Sequence, residues 1–258
     1  MLDQLGKQIL IVIQRSEQNI RLEDVDVRAT VYSFYVSSGE RLDRLFEQAG
    51  LRYEPLLDRP PSLLEPSGCS FHGRYVTCSG RVYRLLTVYG LPSQLMDGFL
   101  YEVFPLIDEV RILIQPLQVH VAYRLLRARH RLLSALVASY RVEGRVPRFE
   151  VVEEHRQLEE LLQALARREA RLFTLRMVFV VGGDSLPESK DRVEELKRHL
   201  ESMGFAVDTP SYLAWKLYSL EEPSPIYVDS HTLSTFLPFI STILMEIDGI
   251  FLGRSRLA

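Results

Sequence analysis

Lysine and asparagine are almost missing from this chain. Lys7, Lys190, Lys197 and Lys216 are the only lysines among 31 basic residues, so 27 are arginine, and Asn19 is the only asparagine. Few thermolabile asparagines suit a protein of a hot environment. Long apolar runs are missing as well. The opening segment holds an apolar stretch at residues 9–13 with polar residues close on both sides, which is not the core of a secretory signal. No run approaches the about 20 apolar residues that cross a bilayer. A cytoplasmic location is therefore expected, with any membrane association passing through a partner. A strong charge of one sign is also missing. The formal net charge is -3, so the whole molecule is not drawn to nucleic acid or anionic lipid, and any basic surface must be local.

Catalytic signatures are missing too. A phosphate-binding loop needs G-x-x-x-x-G-K-[ST], because backbone amides and a lysine must enclose phosphates. Gly6-Lys7 is followed by Gln8 and fails that test. Gly182-Gly183-Asp184-Ser185 lacks the lysine, and Asp184 would repel phosphate, so it reads as a turn leading into a helix cap. There is no H-E-x-x-H and no G-x-S-x-G. His72, His120, His130, His155, His199 and His231 are scattered along the chain. The sequence thus offers no catalytic, cofactor or metal residues.

What is present is an ordinary globular composition. Hydrophobic residues make up 47% and charged residues 25% of 258, enough for one large or two modest domains with a real core. Residues 9–13 and 27–36 are β-branched and aromatic and predict strands. Residues 40–49 have helical spacing and stop at Gly50. The tandem prolines of Arg59-Pro60-Pro61-Ser62 mark a boundary. This gives an N-terminal β-rich segment, 1–60, and a larger α+β domain, 61–258.

The only two cysteines, Cys69 and Cys78, flank a Gly73-Arg74 turn. A two-residue turn there sets His72 against Tyr75, Phe71 against Val76, Ser70 against Thr77, and Cys69 against Cys78. That register permits a cross-strand disulfide. Reduced thiols are the default of a cytosol. A metal site of Cys69, His72 and Cys78 is short of the four ligands a closed zinc site wants.

The rest of the chain predicts β-α-β, a long helical hairpin, then β-α-β. The first unit runs from strand 81–91 through a helix at 95–104 to strand 110–114. The hairpin spans 118–171, with helices 119–142 and 150–171 broken at Gly144 and Pro147. Its expected seam includes Ala122, Leu125, Leu126, Leu132, Leu133, Leu136, Leu158, Leu165 and Leu172. Short loops make such helices antiparallel neighbours. His155 falls on this seam and reads as a boundary histidine, since no second ligand is spaced with it. The second unit has a near-continuous apolar strand at 173–181, a helix capped by Ser185 and stopped at Gly204, and a strand from Phe205. Asp229 or Ser230 caps a helix starting near Thr232. Two β-α-β halves around an inserted hairpin predict a ferredoxin-like α+β fold.

Charge is uneven within the hairpin. The first helix and its loop carry Arg124, Arg127, Arg129, Arg131, Arg141, Arg145 and Arg148, against Glu143 alone. The second is rich in glutamate. One reading is charge complementation across the hairpin. The other makes Arg124, Arg127 and Arg131 a surface for DNA phosphates or anionic lipid, or a contact for a partner.

Three stretches in order resemble a known family. They are YRLLTVYGLP at 83–92, the hairpin followed by RLFTLRMVFVV at 171–181, and LSTFLPF at 233–239 with Asp248-Gly249-Ile250-Phe251-Leu252-Gly253. Together they are similar to the front portion of conjugation and type IV secretion ATPases of the TraC/HerA-like group, the last pair lying just before the RecA-like motor. The resemblance implies a non-catalytic docking and assembly domain of a DNA-transfer ATPase, with no Walker residues of its own. ATP and Mg would be bound by a motor beyond Ala258, in a chain cut from a longer protein or encoded separately. It further implies an integral membrane channel protein as partner, a position at the cytoplasmic face of the membrane, DNA handled by the motor, and hexameric assembly. An archaeal DNA-exchange system fits the composition. The alternative is a ferredoxin-like nucleic-acid-binding module that presents aromatics to single strands, with Tyr75, Tyr83 and Tyr89 as candidates.

Overall fold

The computed structural model describes residues 9–22, 25–38, 63–64, 67–92, 102–211, 214–222, 224–229 and 232, with backbone alone for 9, 17–22 and 25–38. The expected helix at 40–49, the proline boundary at 59–62, most of the helix at 95–104, Ser230, and the stretches 233–239 and 248–253 lie outside these residues.

The architecture is mixed α+β around one antiparallel sheet. Its strands are β1 (Ile9–Leu22), β2 (Val25–Ser38), β3 (Cys69–Phe71), β4 (Val76–Cys78), β5 (Arg81–Gly90), β6 (Glu109–Pro116), β7 (Leu172–Gly183), β8 (Ala206–Asp208) and β9 (Ile226–Asp229). The helices are α1 (Val119–Val142), α2 (Phe149–Ala166), α3 (Leu186–Ser202) and the short α4 (Ala214–Tyr218). The main path runs β2-β1-β6-β7-β5-β4-β3, with β8 on β5 and β9 on β7.

Strand β7 shows why its sequence is apolar almost throughout. Phe173, Leu175, Met177, Phe179 and Val181 face a core covered by Val193, Leu196 and Leu200 of α3. Val178 and Val180 face a second core with Leu85, Tyr83 and the α4 residues Leu217 and Tyr218. A central strand buried on both faces has no place for alternating polar residues. The first two strands are longer than expected. All fourteen residues of β1 pair with β2, whereas only Ile9 to Gln14 also pair with β6. The polar stretch after Ile13 hid this extension, because it continues as a two-stranded ribbon past the edge of β6.

Helix α3 begins and ends as its sequence dictates. Ser185 Oγ accepts from Glu188 N at 3.3 Å, and Glu188 Oε2 accepts from Asp184 N at 2.8 Å. At the other end Gly204 takes φ +87°, while Phe205 N donates to Leu200 O and Gly204 N to Glu201 O. This is the paired closure that a left-handed glycine permits. Asp229 Oδ1 accepts from Thr232 N at 2.6 Å, the capping geometry expected there.

Helices α1 and α2 form an antiparallel hairpin whose buried cluster is Ala122, Leu126, Leu158, Leu165 and Leu172. Two corrections apply. Helix α2 stops at Ala166 rather than 171, because Arg168 adopts φ +61° and Glu169 N turns back to Ala164 O. Leu172 therefore opens β7, although it still caps the hairpin cluster. Leu125, Leu132 and Leu136 are exposed rather than on the seam. At 100° per residue they lie about a quarter turn from the Ala122–Leu126–Leu133 line.

Candidate functional site

The arginines of α1 divide into two sets. Arg129 reaches across the hairpin, its Nε donating to Glu154 Oε1 at 2.7 Å. Arg124, Arg127 and Arg131 do not join in. At i, i+3 and i+7 they form one stripe on the side of α1 away from Ala122 and Leu126. All three are exposed, and no ion pair involves them among the described residues. They line a depression of about 760 Å³ together with His120 and Tyr123. The Arg127 guanidinium lies over the Tyr123 ring, 4.7 Å from its centroid, which fixes one fork of the stripe in place.

Two glutamates of α2 are satisfied within their own helix instead. Arg156 donates to Glu153 and to Glu160 within the same helix, and Gln157 Nε2 donates to Glu153 Oε1 at 2.9 Å. Hydrogen bonds from Arg156 first, then Gln157, hold the Glu153 carboxyl down to about 2. Complementation across the hairpin thus covers Arg129 and leaves the stripe open. Planar guanidinium forks grip phosphate or carboxylate oxygens in pairs, so the stripe can bind an anionic polymer or an acidic protein surface.

Strands β3 and β4 pair in the register the Gly73-Arg74 turn predicts, with Cys69 opposite Cys78, Ser70 opposite Thr77 and Phe71 opposite Val76. Cys69 and Cys78 are joined in a disulfide, with their Cα atoms 4.3 Å apart. The sulfurs therefore hold no metal with His72, whose ring stacks on Tyr75 at 4.5 Å.

The glycine turn at 182–185 is filled from within. Gly182 N donates to Asp108 Oδ2 at 2.6 Å, while the amides of Asp184 and Glu188 are taken by the cap of α3. These three amides are therefore not open to a phosphate.

One buried group escaped the sequence reading. Glu109 is fully buried at the start of β6, accepting from Gln14 Nε2 at 2.6 Å, Leu63 N at 3.2 Å and Arg111 at 3.3 Å. Burial pushes its carboxyl up, against the pull of Arg111 and these hydrogen bonds. Arg111 in turn lies 4.3 Å over the Tyr218 ring. No local pattern marks such a residue, since its partners come from β1, the 63–64 segment and α4.

Of the aromatic candidates, Tyr83 is buried at 6% exposure, Tyr75 is stacked on His72, and only Tyr89 is open, at 58%. Tyr227, at 49%, was not anticipated. No protein-family model matches this chain, and no curated protein is similar to it in sequence.

Proposed function

We propose that this chain is the non-catalytic docking and assembly domain of a DNA-translocating ATPase of a conjugation-like or DNA-import system, linking the motor to a membrane channel. The observation that carries the reading is the arm: an antiparallel hairpin with Arg124, Arg127 and Arg131 exposed along one side and, among the described residues, in no ion pair. A stripe that folding does not use is suited to a partner. The resemblance of the chain to the front of TraC/HerA-like ATPases supplies the kind of partner. The strand order β8-β5-β7-β6, antiparallel throughout, supports reading the centre of the sheet as ferredoxin-like, with β1 and β2 added at one edge and β3 and β4 at the other. No helix among the described residues is long and apolar enough to cross a membrane, so attachment at the cytoplasmic face would pass through the channel protein. ATP and Mg would belong to the motor, as would hexamer formation around DNA.

The test is recovery of membrane partners from a native detergent extract by the tagged chain, beside the triple variant R124E/R127E/R131E. An integral membrane protein held by the parent and lost by the variant is expected. Recovery of the same protein by both forms would remove the stripe from docking, and recovery of none would remove the docking reading.

A second reading, a module for single-stranded nucleic acid, has one observation in its favour. Tyr227 pairs with Thr174, so by register it shares a sheet face with Arg176, and the exposed Tyr89 stands on the neighbouring strand β5 at the bulge between Val88 and Gly90. Exposed aromatics next to arginine are a stacking surface for bases. Salt-dependent binding of single strands that survives the triple arginine variant and is lost in Y89A/Y227A would favour this reading over docking.

A further inference from the structure

The hairpin carries a second feature that the arginine stripe does not use. Between residues 127 and 157, the outer part of α1 and α2, no residue is buried. The fully buried part of the apolar cluster that joins the helices stops at Leu126 and Leu158, and beyond it Leu133 packs half-buried against the cluster. Just outward of that point three donor side chains meet. His130 and Ser134 stand at i and i+4 on α1, and His155 and Glu159 at i and i+4 on α2, so each pair shares a helix face. Glu159 Oε1 lies 3.3 Å from His130 Nε2 and 3.8 Å from His155 Nδ1. One ligand atom from each of His130, His155 and Glu159 lies within 4.8 Å of the others. The two imidazoles stack with centroids 4.7 Å apart. Ser134 Oγ is 2.9 Å from His155 Nε2.

We propose that His130, His155 and Glu159 form a binding site for a borderline divalent cation, zinc foremost, which clasps α1 to α2 where the fully buried part of their seam ends. Two imidazole nitrogens and one carboxylate oxygen make a three-ligand set that leaves a position for water. Calcium and magnesium want more oxygen ligands than this set provides. In a tetrahedral zinc site the ligand atoms stand about 3.4 Å apart, so closure asks the side chains to move by roughly 1 Å. Ser134 is the supporting partner. When its hydroxyl accepts the Nε2 proton of His155, the lone pair of Nδ1 is directed toward Glu159, as a ligating histidine requires. The sequence hid this site because His155 meets His130 only after the hairpin closes. The carboxylate four residues along α2 was the one local sign.

The test uses the untagged 258-residue chain, stripped with a chelator and kept unreduced so that Cys69 and Cys78 offer no thiolate. Zinc is titrated calorimetrically, and cobalt is added as a visible-absorbing substitute. One equivalent of zinc should bind and raise Tm, and cobalt should give the absorption of a low-coordinate site. H130Q, H155Q and E159Q should each weaken zinc binding by at least about tenfold, and S134A by about tenfold as an outer partner. Circular dichroism checks the fold of each variant, and Glu159, half-exposed, allows a substitution that leaves the core untouched. Absence of saturable binding, or equal binding by the double variant H130Q/H155Q, would overturn the site. Those results leave the docking reading as it stands, because its test reads recovery of a membrane protein and the dependence of that recovery on the arginine stripe.

Discussion

A Cβ placed on Gly183 would stand 2.6 Å from the backbone nitrogen of Ser189. The end of β7 and the first turn of α3 therefore touch backbone to backbone, and Ser189 is fully buried there. Neither side of this contact is a flexible side chain that could swing away. Gly183→Ala should force strand and helix apart and destabilise the protein by about 1–3 kcal/mol, as overpacking does. Urea unfolding measures this, and an unchanged midpoint would show that the helix can shift freely.

Cys69 and Cys78 account for all the cysteine in the chain. Thiol titration of the unreduced, unfolded protein should find none free, and reductant should release two. The disulfide closes a short loop, with a sequence separation of 9. Its loss in C69S/C78S should cost about 2–3 kcal/mol if the loop-entropy account holds. Two titratable thiols before reduction would contradict the pairing.

Glu109 gives a pH signature. Its folded carboxyl is raised above the ordinary 4.5, first by burial. The folded state then holds a proton that the unfolded state has released. Between 4.5 and the raised value the folded state binds more protons, so stability contributed by this group falls as pH rises through that window. Glu109→Gln carries no such titration. Its Tm relative to the parent should therefore climb with pH above 4.5, and a difference that is flat across pH would refute the assignment.

Arg124, Arg127 and Arg131 make no ion pair among the described residues, and the one internal contact of the three is that of Arg127 with the ring of Tyr123. Replacing any one with alanine should alter stability by no more than about 0.5 kcal/mol. Thermal unfolding of the three single variants checks this. A larger loss would mean that the stripe holds the arm rather than a partner.

The legibility of the fold followed the range of the interactions. The cap of α3 at Ser185, its stop at Gly204, the hairpin register at Gly73-Arg74 and the limits of α1 all rest on bonds within a few residues, and these could be read directly. The end of α2 could not, because Arg168 adopts a conformation that sequence assigns to glycine. Nor could the length of β1, whose polar outer half is held as strand by pairing with β2.

By itself, the sequence determined the local punctuation of this protein, the two-sided burial of β7 and the concentration of arginine on α1. Each of these follows from side-chain chemistry at fixed helix or strand spacing. Only the tertiary structure decided which arginines remain open, because Arg129 finds Glu154 across the hairpin and Arg124, Arg127 and Arg131 face the other way. It alone brought His130 to His155 and Glu109 to Gln14, since contacts between residues far apart in the chain exist only once the elements have packed.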